Sequence, residues 1–414
     1  MIPSLPRQKI YKLHYSNFIK DIFVGKFLKG NDISNLENDL KKYLNIKNVS
    51  LLFRGRLGIY LAVKSIINYD KNEIILPPFT IFDVVNMVIC AGGKPVFIDV
   101  NLENFSPKLE EIKKYYNVKT AGIILTHMHK CADEIYNIHD FCKNNKIKLI
   151  EDVAIGFGAS IKQKKLGTIA DIGVYSFSMF KFVSTLNGGA VVTNDDEIYK
   201  KILIELKSFK NPKIKHLIKK FFYGLIIDLS TYTPIFKFLT FWIIKFGYLK
   251  NINIIKSLTK NDPNPFYLEK LPENYKLNIS NYQARCIKKQ LPNVNKNYLI
   301  RKIFFQTYYN GLKDINELQI PKYDENTNDP YISFPILYNQ RDELIKFMFL
   351  NNRDITHYFY RNCNDIKFFS KYFNPEIKKI KLIVNNIILL PTYSKYSLLD
   401  VKKNIKIIKK FFEK

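Results

Sequence analysis

From residue 33 to residue 195 the chain repeats one rhythm, a short uninterrupted apolar run followed by a segment with apolar positions at helical spacing. ISNLENDLKKYLNI reads as helix, VSLLF as a buried strand and LGIYLAVKSII as helix again. EIILPPFT is a strand closed by two prolines, FDVVNMVICAGG a helix ending in glycines, and KPVFIDV the next strand. LEEIKKYY, TAGIILTH, ADEIYNIHDFCKNN and IKLIEDV continue the alternation, and DIGVYSFS and GGAVVTND add two strands around a loop. Strands that are apolar throughout, rather than every second residue, belong in a sheet covered on both faces. The pattern therefore predicts an α/β fold with a mostly parallel sheet sandwiched by helices. The rhythm breaks after residue 200, and we expect a large domain over 1–265 and a smaller C-terminal α/β domain over 266–414. In the latter, DPYISFPILYN reads as a strand and LLDVKKNIKIIKKFFEK as an amphipathic closing helix.

Composition restricts the partners. Lys and Arg number 65 against 37 Asp and Glu, a net charge of +28. Nearly all of the basic residues are Lys, so part of the excess is compositional drift, yet a charge of this size favours anionic ligands. No module interleaving basic residues with stacking aromatics is recognisable, so nucleic acid is not expected. The 5 Cys are scattered without C-x-x-C spacing. They suggest neither a disulfide framework nor a metal site and fit a reducing, cytoplasmic setting. The N-terminal stretch MIPSLPRQKIYKL lacks the apolar core of a secretory signal.

Parallel sheets gather ligands at the carboxyl ends of their strands. IKLIEDV ends there in Glu151-Asp152, and SFSMFK places Ser176 and Lys181 just beyond another strand, ahead of Gly188-Gly189. A lysine after one strand and an aspartate after the preceding one suit pyridoxal phosphate. Lys forms the Schiff base, and Asp pairs with the pyridinium nitrogen. Taken singly, Lys181 reads as a solvated surface residue, Asp152 as a helix N-cap and Ser176 as a strand-end hydroxyl.

In order and spacing these stretches resemble the DegT/StrS-type sugar aminotransferases, pyridoxal-phosphate enzymes of fold type I. ILPPFTIFDVVNMVICAGGKPVFIDV is similar to that family's P-x-F-T followed by A-G-x-x-P-V-F-x-D. IEDVAIGFGASIKQKKLGTIADIGVYSFSMFKFVSTLNGGAVVTND is similar to its E-D-A-A-Q through F-S-F-x-x-x-K to G-G-A-V-V-T-N-D. YKLNISNYQARCIKKQL resembles its N-Y-R-M-S-x-I-Q-A-A helix start. The resemblance implies Lys181 as the cofactor lysine, Asp152 as the pyridinium partner and Ser176 as a phosphate ligand. His127, at the end of LTH, matches a strand-end histidine near the substrate; its alternative is a satisfied, half-buried histidine.

The chain departs from the family at several points. Arg54-Gly55-Arg56 stands where the family has S-G-T opening a helix around the phosphate. The helix start still offers backbone N–H groups, and Arg54 and Arg56 are candidate replacement ligands, guanidinium being a bidentate phosphate binder. Ile155 replaces the Gln that contacts the cofactor hydroxyl. Ile81 replaces the ring-stacking aromatic, with Phe82 adjacent as a substitute. Lys276 aligns with the Asn that a neighbouring subunit lends to the phosphate. The resemblance implies a homodimer, an amino-acid donor such as glutamate, and a nucleotide-linked keto-sugar acceptor whose product enters surface polysaccharide. Lys181 argues against the branch in which His replaces the lysine and the reaction is dehydration. The contrasting reading is a binding or scaffolding protein that keeps the fold without turnover.

Residues 208–262 exceed the family's usual length here. Their apolar, aromatic portion, 221–249, is interrupted by Asp228, Pro234, Lys237 and Lys245, so no uninterrupted run reaches the ~20 residues that span a bilayer. Pro234 divides it into two helices. Two expectations follow, a pair lying in a membrane interface at the inner face of the cytoplasmic membrane, or an extra helical pair packed on the protein.

Overall fold

The computed structural model describes residues 2–10, 15–258, 264–324, 327–356 and 360–413. Seven strands form its central sheet: β1 Asn48–Leu52, β2 Glu73–Leu76, β3 Lys94–Phe97, β4 Thr120–Thr126, β5 Lys148–Asp152, β6 Ile172–Ser176 and β7 Gly189–Thr193. Their spatial order is β1-β7-β6-β5-β4-β2-β3. Every pairing from β6 to β3 is parallel, and β7 runs antiparallel to both of its neighbours. β1, β2, β4, β6 and β7 are buried along their whole length, as the continuous apolar runs predict. Helices on the two faces divide the apolar interior into two layers. One is built around Leu36, Leu40 and Ile135, the other around Leu57, Leu61 and Val85.

Because β4, β5 and β6 are parallel and in register, with Thr126 beside Asp152 and Asp152 beside Val174, their carboxyl ends meet at one edge. The antiparallel β7 begins at that same edge with Gly189, directly across from Leu52 and Ser176. The loop between β6 and β7, which carries Lys181, is therefore anchored at both ends at the mouth of the sheet.

A second, smaller layer contains β8 Ser333–Leu337 paired antiparallel with β9 Ile387–Pro391. Helices Val294–Leu312, Arg341–Leu350 and Leu398–Phe412 accompany the pair. Ser397 caps the last helix by accepting from the Asp400 N–H, and Val401, Asn404, Ile407 and Ile408 form its inner face. The expected boundary at 265 falls too early. Helix Asn281–Lys288, started by a capping box of Ser280 and Gln283, packs against helix Asp32–Leu44 of the large layer. Asn281 ties them, its Oδ1 accepting from Asp32 and Ile33 and its amide donating to the Leu28 carbonyl. The chain enters the smaller layer with the helix at 294. The first residues also cross over: the Ser4 N–H donates to the Asn352 carbonyl, and Arg7 pairs with Asp354 at 2.7 Å.

Gly173, in β6, has a side-chain position occupied by its neighbour, since a Cβ there would lie 2.0 Å from the Gly167 carbonyl oxygen. The alanine variant must push the 160–170 segment off the sheet. Gly173→Ala is expected to lose about 1–3 kcal/mol of stability, read as a lower denaturant midpoint at unchanged slope; an unchanged midpoint would show that the segment yields freely.

Candidate active site

The strand edge opens into a cavity of about 470 Å³ between the large and small layers. Asp152, Ser176, Lys181, Gly55, Arg54, Arg56 and His127 all line it. Phe82 and Lys276 do not. Ile81 starts the helix Phe82–Cys90 and faces the cavity, whereas Phe82, one residue further round, turns inward. It is 1% exposed and meets Phe266 edge-on at 5.0 Å, so the substitution of Phe82 for the stacking aromatic fails by helix phase. Lys276 pairs with Glu273 at 2.7 Å outside its own cavity.

Glu151 and Asp152 are neighbours with opposite tasks, because successive strand residues point to opposite faces. Glu151 is fully buried and accepts from the backbone N–H groups of Gly167, Ile169 and Ala170 at 2.7, 2.9 and 2.8 Å. His127 Nε2 lies 3.1 Å from the same carboxylate. The Ala132 N–H donates to His127 Nδ1, so Nδ1 is bare and Nε2 carries the proton given to Glu151. Both ring nitrogens of His127 are thus engaged within the fold. This histidine braces the loop after β4, and the substrate contact expected of it has no free nitrogen to make it. The same loop binds the small layer through the buried pair Lys130–Asp329 at 2.6 Å.

Asp152 faces the cavity. Burial raises its pKa, while the Ala154 N–H and the charge of Lys181 oppose the rise. Lys181 has its pKa lowered to about 8, first by loss of water and then by Arg56, with Asp152 pulling the other way. An amine in this state is available as a base and nucleophile near neutral pH. His129, two residues beyond His127, adopts φ +63° and lines the same wall. Its Nδ1 contacts Ser333 Oγ at 2.9 Å, and burial followed by Lys181 lowers its pKa to about 3, so it stays neutral.

The loop holding Lys181 is fixed by two glutamines of the YKLNISNYQARCIKKQL stretch, to which the sequence alone assigns no role. Gln290 donates to the Ser184 carbonyl and accepts from its N–H, and Gln283 donates to the Asn187 carbonyl. At the other end of the cavity, chain segments crowd together. A Cβ on Gly189 would lie 2.5 Å from Gly55 Cα, and one on Gly55 would lie 2.7 Å from Ser176 Cβ. Glycine at both positions lets the start of helix Arg56–Ile66 touch the strand ends. Arg56 is paired with the buried Asp83, and Arg54 lies over the Tyr275 ring at 4.6 Å.

The residues fit pyridoxal phosphate. A half-buried lysine and a buried aspartate share the cavity, and beyond them lie a helix amino end, Ser176 Oγ, two guanidinium groups and an Arg54 Nε that is buried with no hydrogen-bond partner. An aldehyde, a ring nitrogen and a phosphate each find a matching group. Ile81 and Ile155 offer the ring apolar contact only. Among the described residues no cluster of His, Cys, Asp and Glu could hold a metal ion, and no cysteine forms a disulfide.

A sequence model of the DegT/DnrJ/EryC1/StrS aminotransferase family matches residues 16–225 and 250–409. A GDP-perosamine synthase of Vibrio cholerae is 30% identical over 175 residues, 42% of this chain and 48% of that protein. The chain thus spans about half the length of this relative. A dTDP-4-amino-4,6-dideoxy-D-glucose transaminase of Shigella dysenteriae is 24% identical over 375 residues, 87% of this chain and 85% of its own. The solved Helicobacter pylori aminotransferase PseC superimposes with a TM-score of 0.75 over 100% of both chains at 18% identity, a likeness of fold.

Lys181 binds its proton less tightly in the fold than its ordinary value of 10.5, so the unfolded chain holds more protons between about pH 8 and that value. Folding stability should therefore rise with pH across this window. Lys181→Met, which removes the buried charge, is expected to melt higher than the unaltered protein near neutral pH, with the gap closing as pH passes 8 toward 10.5. A constant gap would refute the assigned shift.

Proposed function

Because the chain belongs to the DegT/DnrJ/EryC1/StrS aminotransferase family, we propose that it is a pyridoxal-phosphate-dependent transaminase moving an amino group from an amino acid to a nucleotide-linked keto-sugar. The observation that carries this reading is that half-buried Lys181 and buried Asp152 line one cavity, with basic groups gathered at the Ser176 end. When bound, the cofactor supplies a carbonyl carbon and an electron-accepting ring. Asp152 holds positive charge at the ring nitrogen, a role supported by its place on the cavity wall, where burial raises its pKa and a cation beside it would oppose that rise. Lys181 Nζ takes a proton from the substrate carbon and returns it, a task suited to a group with a pKa near 8. Gln283 and Gln290 hold the loop from which Nζ acts. The names of the relatives support a sugar acceptor, perosamine and dideoxy-aminoglucose being nucleotide-sugar products, and a place in surface polysaccharide synthesis agrees with both.

The family's two-subunit arrangement is part of this reading, in which Lys276, outside its own cavity, would serve a neighbour's. Peripheral membrane contact belongs to it as well. Among the described residues no helix is long and apolar enough to cross a membrane. Helix Ile214–Ser230, helix Phe241–Leu249 and the helical turn Phe236–Thr240 before it nevertheless leave Phe222, Ile226, Phe238, Trp242 and Phe246 between 44% and 86% exposed beside several lysines. Their other faces pack on the protein: Phe221 stacks on Phe18 at 3.7 Å, and Tyr248 stacks on Phe349 at 4.9 Å. Both expectations for this segment thus have support, one on each face.

Purified protein incubated with glutamate and a panel of nucleotide keto-sugars should release 2-oxoglutarate with at least one of them. Lys181→Ala should abolish the reaction, and Asp152→Asn should lower kcat about 10²-fold or more. A colourless protein that never takes up the cofactor would favour a binding role instead. Vesicles of acidic phospholipid should float the protein, and Phe238→Glu with Phe246→Glu should abolish flotation; equal flotation would sink the membrane contact.

A further inference from the structure

The helix Ile214–Ser230 does more than cover the surface. Leu217, Phe221 and Gly224 are its buried residues, and from this same helix Lys220 and Tyr223 reach the cavity wall. They meet the end formed by Arg54, Gly55, Arg56, Ser176 and Ser178. The seat is held in place by packing, with Phe221 stacked on Phe18 and Phe53 5.8 Å from the His216 ring. Three cationic side chains therefore face one end of the cavity beside a helix amino terminus. The buried Asp83 is committed to Arg56.

We propose that Lys220 is a ligand of the cofactor's phosphate, supplied by its own chain from the helix Ile214–Ser230, and that with Arg54 and Arg56 it replaces the hydroxyl-rich loop this chain lacks. The inference rests on the cofactor reading above. Its electrostatics agree: burial first, then repulsion from Arg54 and Arg56, lowers the Lys220 pKa. His216, one turn earlier, is lowered by burial and then by Arg54 and Lys220. Arg54 is lowered by burial and Arg56, against Tyr275. Positive groups that discourage one another's protonation form an incomplete arrangement, which a phosphate dianion entering among them would complete. Lys220 and Arg54 act on the phosphate as charges, and Ser176 and the first N–H groups of the helix at Arg56 give direction. A phosphate of the acceptor's nucleotide has the same chemistry, so the ligand must be distinguished by experiment.

The test compares equilibrium binding of pyridoxal phosphate and of pyridoxal, which lacks the phosphate, by absorbance titration of the protein freed of cofactor. The variants are K220Q and K220R, with K219Q as the control at the exposed neighbouring lysine. K220Q is expected to weaken pyridoxal phosphate about tenfold or more, the worth of one hydrogen bond to a charged group. Pyridoxal binding should be unchanged in the same preparation, which also reports that the variant is folded. K220R should restore most of the loss, and K219Q should match the unaltered protein. Equal pyridoxal phosphate affinity in K220Q and unaltered protein overturns the assignment, including the case where only the acceptor's KM rises. Equal loss for both ligands also overturns it, as damage to the fold. Failure of the unaltered protein to bind either ligand overturns the cofactor reading itself.

Discussion

Lys181 has lost the water an ammonium ion requires, and the protein returns to it one carboxylate, Asp152, together with the repulsion of Arg56. Much of the site follows from that imbalance. A lysine so placed is charged only at a cost, and its pKa falls to about 8. The same scarcity of carboxylates holds at the far end of the cavity, where Asp83 is committed to Arg56 and the remaining cations depress one another. The fold tolerates this strain because the sheet edge is rigid. Glu151 fastens the 167–170 segment through three backbone N–H groups, and Gly55 and Gly189 let the helix start and β7 touch. Rigid elements keep the positive groups together on the cavity wall.

The alternation of apolar runs was enough to read the sheet, and with it the edge to which Asp152, Ser176 and Lys181 belong. A parallel sheet sends every strand end to one side, so those positions follow from strand order alone. The readings that failed depended on rotation or on distance along the chain. Ile81 and Phe82 differ by one helical step, and that step decides which faces the cavity and which meets Phe266. His127 sits at the site by position, yet its nitrogens are taken by Ala132 and Glu151, partners that a motif does not display. Gln283, Gln290 and Asp83 act through contacts from far along the chain or from another helix, which local periodicity cannot register. The boundary at 265 fails similarly, since the helix at 281–288 is assigned to its layer by Asn281 reaching back to residues 28–33.

The segment after residue 208 joins the two themes. In the sequence it is one basic, aromatic stretch, and the alternatives for it, membrane face or packed helices, exclude each other only if a helix has a single face. Ile214–Ser230 has more than one. Phe221 and Leu217 lie inward, Phe222 and Ile226 lie outward, and Lys220 is aimed along the cavity wall. The charge excess concentrated here is therefore divided between the interior and the surface. Half-buried Lys220 lines the cavity beside two arginines, whereas its neighbour Lys219 is exposed and screened by salt. Raising ionic strength should then weaken any surface attraction while leaving the interior cluster largely intact, since buried charges are screened much less. The two uses of positive charge on one helix are separable for that physical reason.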